Sequence, residues 1–263
     1  MSRLSCTELQ TMRARFDALC RESADLSAVR DSDRIGTYNE KILHKLLKRA
    51  VCEDESAYEV KVGPYIADVR KNGRIFEIQT GSFYPLFDKL KYFLENTEDE
   101  IVVVHPQNMD LTILRIDPDT GELLHKKKSP KKERPRDLFC ELYFLRQLFP
   151  SDRLTVLSVS LCAEEYRYSE RMRGRREGAY DAYYQPTSWL DQVEISTSAD
   201  ISALIPPTLR DTPDLSADDI GRALALRPGR RRWRAITFLC ECGVLACRKE
   251  GRRNVYRVIR GTS

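Results

Sequence analysis

The chain has 263 residues, with 44 Lys and Arg against 40 Asp and Glu and a formal net charge of +4. At roughly 100–200 residues per domain, this length fits one large domain or two smaller ones, and a core of that size needs no disulfide staples. Charged residues make up 32% with both signs interspersed, which excludes a single-sign, weakly hydrophobic disordered chain. No apolar run reaches the roughly 18–20 residues that span a bilayer. Arg3, Glu8, Arg13 and Arg15 stand where a secretory signal would be apolar. Eight cysteines without a CxxC pair read as reduced thiols. The expectation is a cytoplasmic protein without membrane contact.

The elements are taken in chain order. Thr7 with Gln10 forms a capping-box pair, and Leu9, Met12, Phe16 and Leu19 follow at helical spacing. A second helix is predicted from Thr37 to Ala50 on the stripe Ile42, Leu43, Leu46 and Leu47. Three strands come next, at Tyr58 to Val62, Tyr65 to Arg70 and Arg74 to Thr80, the last two joined by the hairpin signal Asn72-Gly73. Phe83 to Asn96 reads as a helix and Glu100 to His105 as a buried strand. Leu111 to Ile116 and Glu122 to His125 pair across Asp119-Thr120-Gly121. Asp137 to Phe149 looks helical and Leu154 to Cys162 strand-like, and the loop Lys126 to Arg136 carries seven basic residues.

Charge divides the chain. From Arg210 to Ser263 there are 13 basic and 6 acidic residues, a net of +7, which leaves −3 on the first 209 residues. An acidic body with a basic tail suggests nucleic-acid contact. Pro206, Pro207 and Pro213 interrupt regular structure between the two. The expected organisation is a helical segment over 1–30, a main domain over 31–205, a linker over 206–214 and a small basic domain over 215–263.

The chemical signal lies on the third strand, Ile75-Phe76-Glu77-Ile78-Gln79-Thr80. Strand alternation puts Glu77 and Gln79 on one face. A Glu inside a core-like strand costs free energy unless it is paired or binds a metal. Asp68 sits on the preceding strand where the hairpin brings it beside Glu77, and Glu40 shares a helix face with His44. Three acidic groups from adjacent elements make an oxygen-rich site suited to Mg²⁺.

This order of helix, three strands, helix and strand, with Glu40, Asp68 and Glu77-Ile78-Gln79, resembles the PD-(D/E)XK nuclease superfamily over roughly residues 35–162. The resemblance implies a restriction endonuclease-like α/β (α+β) mixed-sheet core. In it Asp68 and Glu77 hold Mg²⁺ or Mn²⁺, the Ile78 carbonyl coordinates as well, and Glu40 binds directly or through water. Gln79 replaces the usual Lys; it orients water by hydrogen bonding and brings no charge. Lys89 or Lys91 on the next helix are the candidates to supply it. The implied chemistry is phosphodiester hydrolysis by metal-activated water.

Residues 215–263 carry a second pattern: a Ser216 and Asp219 cap, the turn Arg227-Pro228-Gly229, and a helix with Ile236 and Leu239 that ends at Gly243. A hairpin of Val244 to Arg248 with Asn254 to Ile259 completes it. This resembles a winged helix-turn-helix domain. Arg230, Arg231, Arg232 and Arg234 crowd the start of its second helix, and Arg252 and Arg253 mark the tip of the wing; these types suit guanine edges and phosphates. Two weaker patterns are noted. Cys240, Cys242 and Cys247 lack zinc-ligand spacing, and Tyr166 to Tyr184 interleaves Tyr with Arg in a manner suited to single-stranded nucleic acid. The expected function is a metal-dependent DNA endonuclease targeted by its C-terminal domain. The alternative is a non-catalytic DNA-binding regulator whose nuclease-like fold serves as an interaction scaffold. Two-strand cutting usually needs two active sites, which leaves a homodimer open.

Overall fold

The computed structural model describes residues 4–26, 35–117, 119–168 and 181–259. Helix α1 (Cys6–Leu26) starts two residues earlier than the sequence suggests. Its capping box is Ser5 with Glu8, the Ser5 hydroxyl accepting from the Glu8 N–H at 3.2 Å and the Glu8 carboxylate from the Ser5 N–H at 2.7 Å. Thr7 and Gln10 fit the same pattern, but Leu4 and Leu9 flank the Ser5 cap and enter one core cluster, as a hydrophobic staple does. Helix α2 (Ile35–Val51) follows, then β1 (Tyr58–Val62), β2 (Tyr65–Lys71) and β3 (Arg74–Ile78). Asn72 and Gly73 turn the second hairpin with φ of 53° and 72°, the left-handed pair that a two-residue hairpin needs.

After a 3₁₀ turn comes α3 (Phe87–Asn96), then β4 (Glu100–Ile116) and β5 (Leu123–Lys128). The two strands expected at Glu100 to His105 and Leu111 to Ile116 are one. Pro106 does not interrupt it because its missing N–H falls on the side of β4 from which β3 has just departed; the last bond there runs from the Gln79 N–H to the Val104 carbonyl. The helical stretch after Pro135 is broken into 3₁₀ turns around the short helix α4 (Phe139–Leu142). Strand β6 (Leu154–Tyr168) and the unanticipated β7 (Asp181–Ile195) finish the sheet, and α5 (Ser198–Ala203) follows. The order is β1-β2-β3-β4-β6-β7 with β5 on the free half of β4; β3, β4 and β6 run parallel and the other pairs antiparallel. The architecture is mixed α+β around a mixed sheet.

Two apolar clusters cover the two faces. Phe16, Leu47 and Trp189 pack with Phe76, Ile78 and Val104 on the side of α1 and α2. Leu90, Phe93 and Phe139 pack with Ile75, Ile101 and Val103 on the other. Beyond the sheet come α6 (Pro207–Arg210), α7 (Ala217–Ala223), α8 (Arg230–Glu241) and a hairpin of β8 (Leu245–Glu250) with β9 (Arg253–Val258). The stretch 206–214, expected as a linker, contains α6 and buries Leu209. The C-terminal helices share the second cluster: Phe238 on α8 lies 6.1 Å from the Phe139 ring and 6.4 Å from that of Phe149. Among the described residues no helix is long and apolar enough to cross a membrane.

Candidate active site

The β2–β3 hairpin opens toward its far end. Pairing holds from Lys71↔Arg74 to Val69↔Phe76. One step on, side chains take over from the ladder. The Asp68 carboxylate accepts from the Ile78 N–H at 2.7 Å, and the Glu77 carboxylate lies 3.3 Å from the Asp68 N–H. The sheet changes face at this point: Ala67 joins one core cluster and Val69 the other. On β1, beside the switch, Glu59 has φ of 52°. Asp68 lies one register step beyond Val69↔Phe76, opposite Glu77, so the hairpin register brings the two carboxylates to the same gap.

Two neighbouring elements supply counter-charges. From α2, His44 Nε2 stands 3.3 Å from Asp68 Oδ2, and one turn further Lys48 reaches Glu59 at 2.9 Å. Glu40 occupies the preceding turn of this helix, and its side chain lies outside the described residues. From α3, Lys89 Nζ donates to Glu77 Oε2 at 2.5 Å. Leu90 and Phe93 anchor this helix in the core, and the Arg153 guanidinium holds its last carbonyls, at 2.6 Å to Thr97 and also to Leu94. Lys91, the other candidate cation, points away and faces Glu95 at 3.9 Å.

The two carboxylates are electrically unlike. Burial works to raise Asp68, but the His44 and Ile78 hydrogen bonds outweigh it and hold the group below the usual carboxylate range. Glu77 is only 2% exposed. Its burial, reinforced by the charge on Asp68, pushes it up to about 7 despite the pull of Lys89. One acid is kept ionised and its neighbour is poised near neutrality, an arrangement that separates the roles of paired carboxylates.

Gln79 does not face this gap with a free amide. Its Nε2 donates to the Ser82 carbonyl at 2.5 Å, and its own carbonyl lies 2.5 Å from His105 Nδ1. Burial lowers His105 from its ordinary value, so the imidazole is neutral at physiological pH and serves to fix the Gln79 backbone. Sequence reasoning offered Lys89 only as an alternative and passed over His105. A His closing the apolar run Ile101 to Val104, one strand from the acidic pair, was the available signal. The donors fit a hard divalent cation in type, all being oxygens of Asp68, Glu77 and the backbone. Among the described residues no three His, Cys, Asp or Glu side chains form a metal-sized group, so the described part of the site offers a cation two carboxylates and backbone oxygen.

The arginines of the basic tail separate. Arg230 and Arg231 are exposed, as are Arg252 and Arg253 at the hairpin tip. Arg232 bonds Asp218 across α7 and α8 and packs on Gly221. Arg234 lies over the Phe144 ring at 4.6 Å. A further basic site lies on the extended sheet, where Arg115, His125, Lys127 and Arg167 line a cavity of about 260 Å³ beside Ile113. Cys240 and Cys242 sit at the end of α8, their thiols pushed by burial up to about 11 and about 12. The arginines from 171 to 176 in the Tyr- and Arg-rich stretch lie outside the described residues.

The span from within α2 to just past β7 carries the whole seven-stranded sheet and the acidic pair. Residues 41–196 match the family described as Domain of unknown function (DUF8091), and the chain belongs to that family. No curated protein and no solved structure matches the chain.

Proposed function

We propose that the protein is a metal-dependent endonuclease of the PD-(D/E)XK type whose chemistry is centred on Asp68 and Glu77. The observation that carries this reading is their meeting at the open end of the hairpin with Lys89 on Glu77 Oε2. Lys89 supplies from α3 the cation that Gln79, just past the end of β3, does not supply. Asp68, Glu77 and the Ile78 carbonyl would hold Mg²⁺ or Mn²⁺, with Glu40 as a further ligand from α2. Such an ion would make a water molecule more acidic and offset negative charge on the phosphate. His44 keeps Asp68 ionised, and Lys89 places positive charge beside the buried carboxylate where a phosphoryl oxygen approaches. Gln79, held through Ser82 and His105, shapes the rim of the site.

The C-terminal helices and hairpin act in this reading as a winged-helix module. A short bridge from Leu215 to Tyr256, just before α7, supports it by adding a third strand segment to the hairpin. Arg230, Arg231, Arg252 and Arg253 are its DNA contacts, and the cavity around Arg115 and Lys127 takes backbone phosphate. The rival reading, a non-catalytic DNA-binding scaffold, draws on the ion pairs already satisfying the acids. Incubation of supercoiled and branched DNA with Mg²⁺ or Mn²⁺ separates the two. Nicking that is lost in Asp68→Ala and Glu77→Ala and impaired in Lys89→Gln is expected. DNA binding without metal-dependent nicking would favour the scaffold.

A further inference from the structure

Four aromatic rings form a continuous path from the edge of the candidate site to the start of α8. Tyr84 lies two residues from Ser82, whose carbonyl holds Gln79. Its ring meets Phe144 at 5.4 Å, Phe144 meets Tyr143 at 5.7 Å, and Tyr143 meets Trp233 at 5.1 Å. The inner two rings are partly buried, whereas Tyr84 is 71% and Trp233 57% exposed. Guanidiniums lie over the path: Arg146 is 4.2 Å from the Tyr143 centroid and Arg234 is 4.6 Å from that of Phe144. The nearby acids are engaged, Glu141 by the Ser82 hydroxyl and Phe83 N–H, and Glu241 by Arg146.

A ring ladder that served only to pack α8 on the body would bury its ends. Here the ends are the open members, each held in place by the covered ring next to it. Both outer rings offer π surface, and Arg230 and Arg231 add exposed positive charge at the Trp233 end. Exposed aromatics combined with arginine suit nucleic-acid bases whose faces are free, which means unpaired bases, since duplex bases are already stacked on their neighbours.

We propose that Tyr84 and Trp233 are two stacking points for an unpaired nucleic-acid strand, which the ladder guides from α8 toward the acidic pair. This deepens the nuclease reading and rests on it, naming its substrate as nucleic acid with a single-stranded segment. Binding here does not require cleavage, so the test is run on the full chain in EDTA. Trp189 is fully buried and Trp233 is exposed, so contact quenching of tryptophan emission reports on Trp233.

A 12-nucleotide single strand is expected to quench this emission, and the same sequence as a duplex to leave it nearly unchanged. Tyr84→Ala should weaken single-strand binding roughly 5- to 150-fold, the range that stacking one base on an aromatic ring supports. Tyr84→Phe should keep the affinity, and Trp233→Phe should keep binding while losing the quench. Equal quenching by duplex, or single-strand affinity unchanged in Tyr84→Ala, would overturn the inference. Binding of neither form would overturn it also and point to a protein partner. If Asp68→Ala binds and quenches while no form of the protein cleaves, the ladder stands and the nuclease reading fails. Metal-dependent cleavage without quenching would do the reverse.

Discussion

Asp68 and Glu77 are nine residues apart in sequence and meet, whereas Arg230, Arg231, Arg232 and Arg234 are nearly contiguous and part. The difference comes from the periods of their elements. A hairpin folds distant residues opposite one another, so two like charges can be forced into one gap. A helix turns successive residues by about 100°, so a run of like charges spreads around its axis. In the acidic gap, charge is concentrated and must be compensated by His44 and Lys89 from two other elements. In the tail, two arginines have become structural and two remain open. Proximity in sequence is therefore the poorer guide to a shared site in this molecule.

The contrast can be broken most strongly at the seam between the regions. Phe238 is fully buried between Phe139 and Phe149, so the tail is fixed to the body through an aromatic core, with the half-exposed Arg146–Glu241 ion pair at its rim. Phe238→Ala should cost about 3–5 kcal/mol through lost burial and the cavity left behind. Thermal unfolding followed by circular dichroism should show a lower midpoint, with the C-terminal module melting first. An unchanged midpoint would mean that the two regions are coupled through their surfaces only.

The next effect lies in the acidic gap and depends on pH. Glu77 has a folded-state value near 7 against an ordinary 4.5, so the fold binds its proton more tightly than the unfolded chain does. This contribution is complete below about pH 4.5 and is lost as pH rises through about 7, since stability falls wherever the native state binds the extra proton. Asp68 is shifted the other way, and its contribution is lost only at lower pH, below its ordinary 3.8. Glu77→Gln removes the penalty of ionisation and should be more stable than the native protein by about 1–3 kcal/mol at pH 8, with little difference at pH 5. The same variant should lack nicking activity under the proposed chemistry, trading stability against function. A destabilised Glu77→Gln at pH 8 would show instead that the Lys89 ion pair outweighs the cost of burying the charge.

How much of this could be read in advance varied with the kind of constraint. The Asn72-Gly73 turn and the alternation around Glu77 located the acidic pair, because hairpin register follows from local residues. The Ser216 and Asp219 cap and the hairpin after Gly243 were legible for the same reason. Lys89 was not assignable, since the rotation of α3 over the sheet is set by Leu90 and Phe93 packing and by Arg153, a residue just before β6 and nearly sixty positions from its Leu94 partner. Strand β7 went unread because Pro186 and the Tyr- and Arg-rich stretch masked its alternation. Its position at the sheet edge is what tolerates the proline. The ring ladder draws on three separate segments, and no single segment announces it.

The smallest effect sharpens the division among the arginines. The Arg230 and Arg231 side chains are exposed, so replacing both by Ala should change stability by no more than about 0.5 kcal/mol. Arg234 lies over Phe144 and near Tyr143, and Arg234→Ala should cost about 0.5–1 kcal/mol through the lost cation–π contact. Duplex binding should rank them the opposite way. A phosphate contact contributes about 0.9 to the slope of log affinity against log salt, so the double variant should flatten that slope by up to about 2 and Arg234→Ala should leave it unchanged. Salt titrations by fluorescence anisotropy measure both. If Arg234→Ala flattens the slope as much as the double variant, its guanidinium leaves the ring to meet phosphate, and the arginines of α8 act together after all.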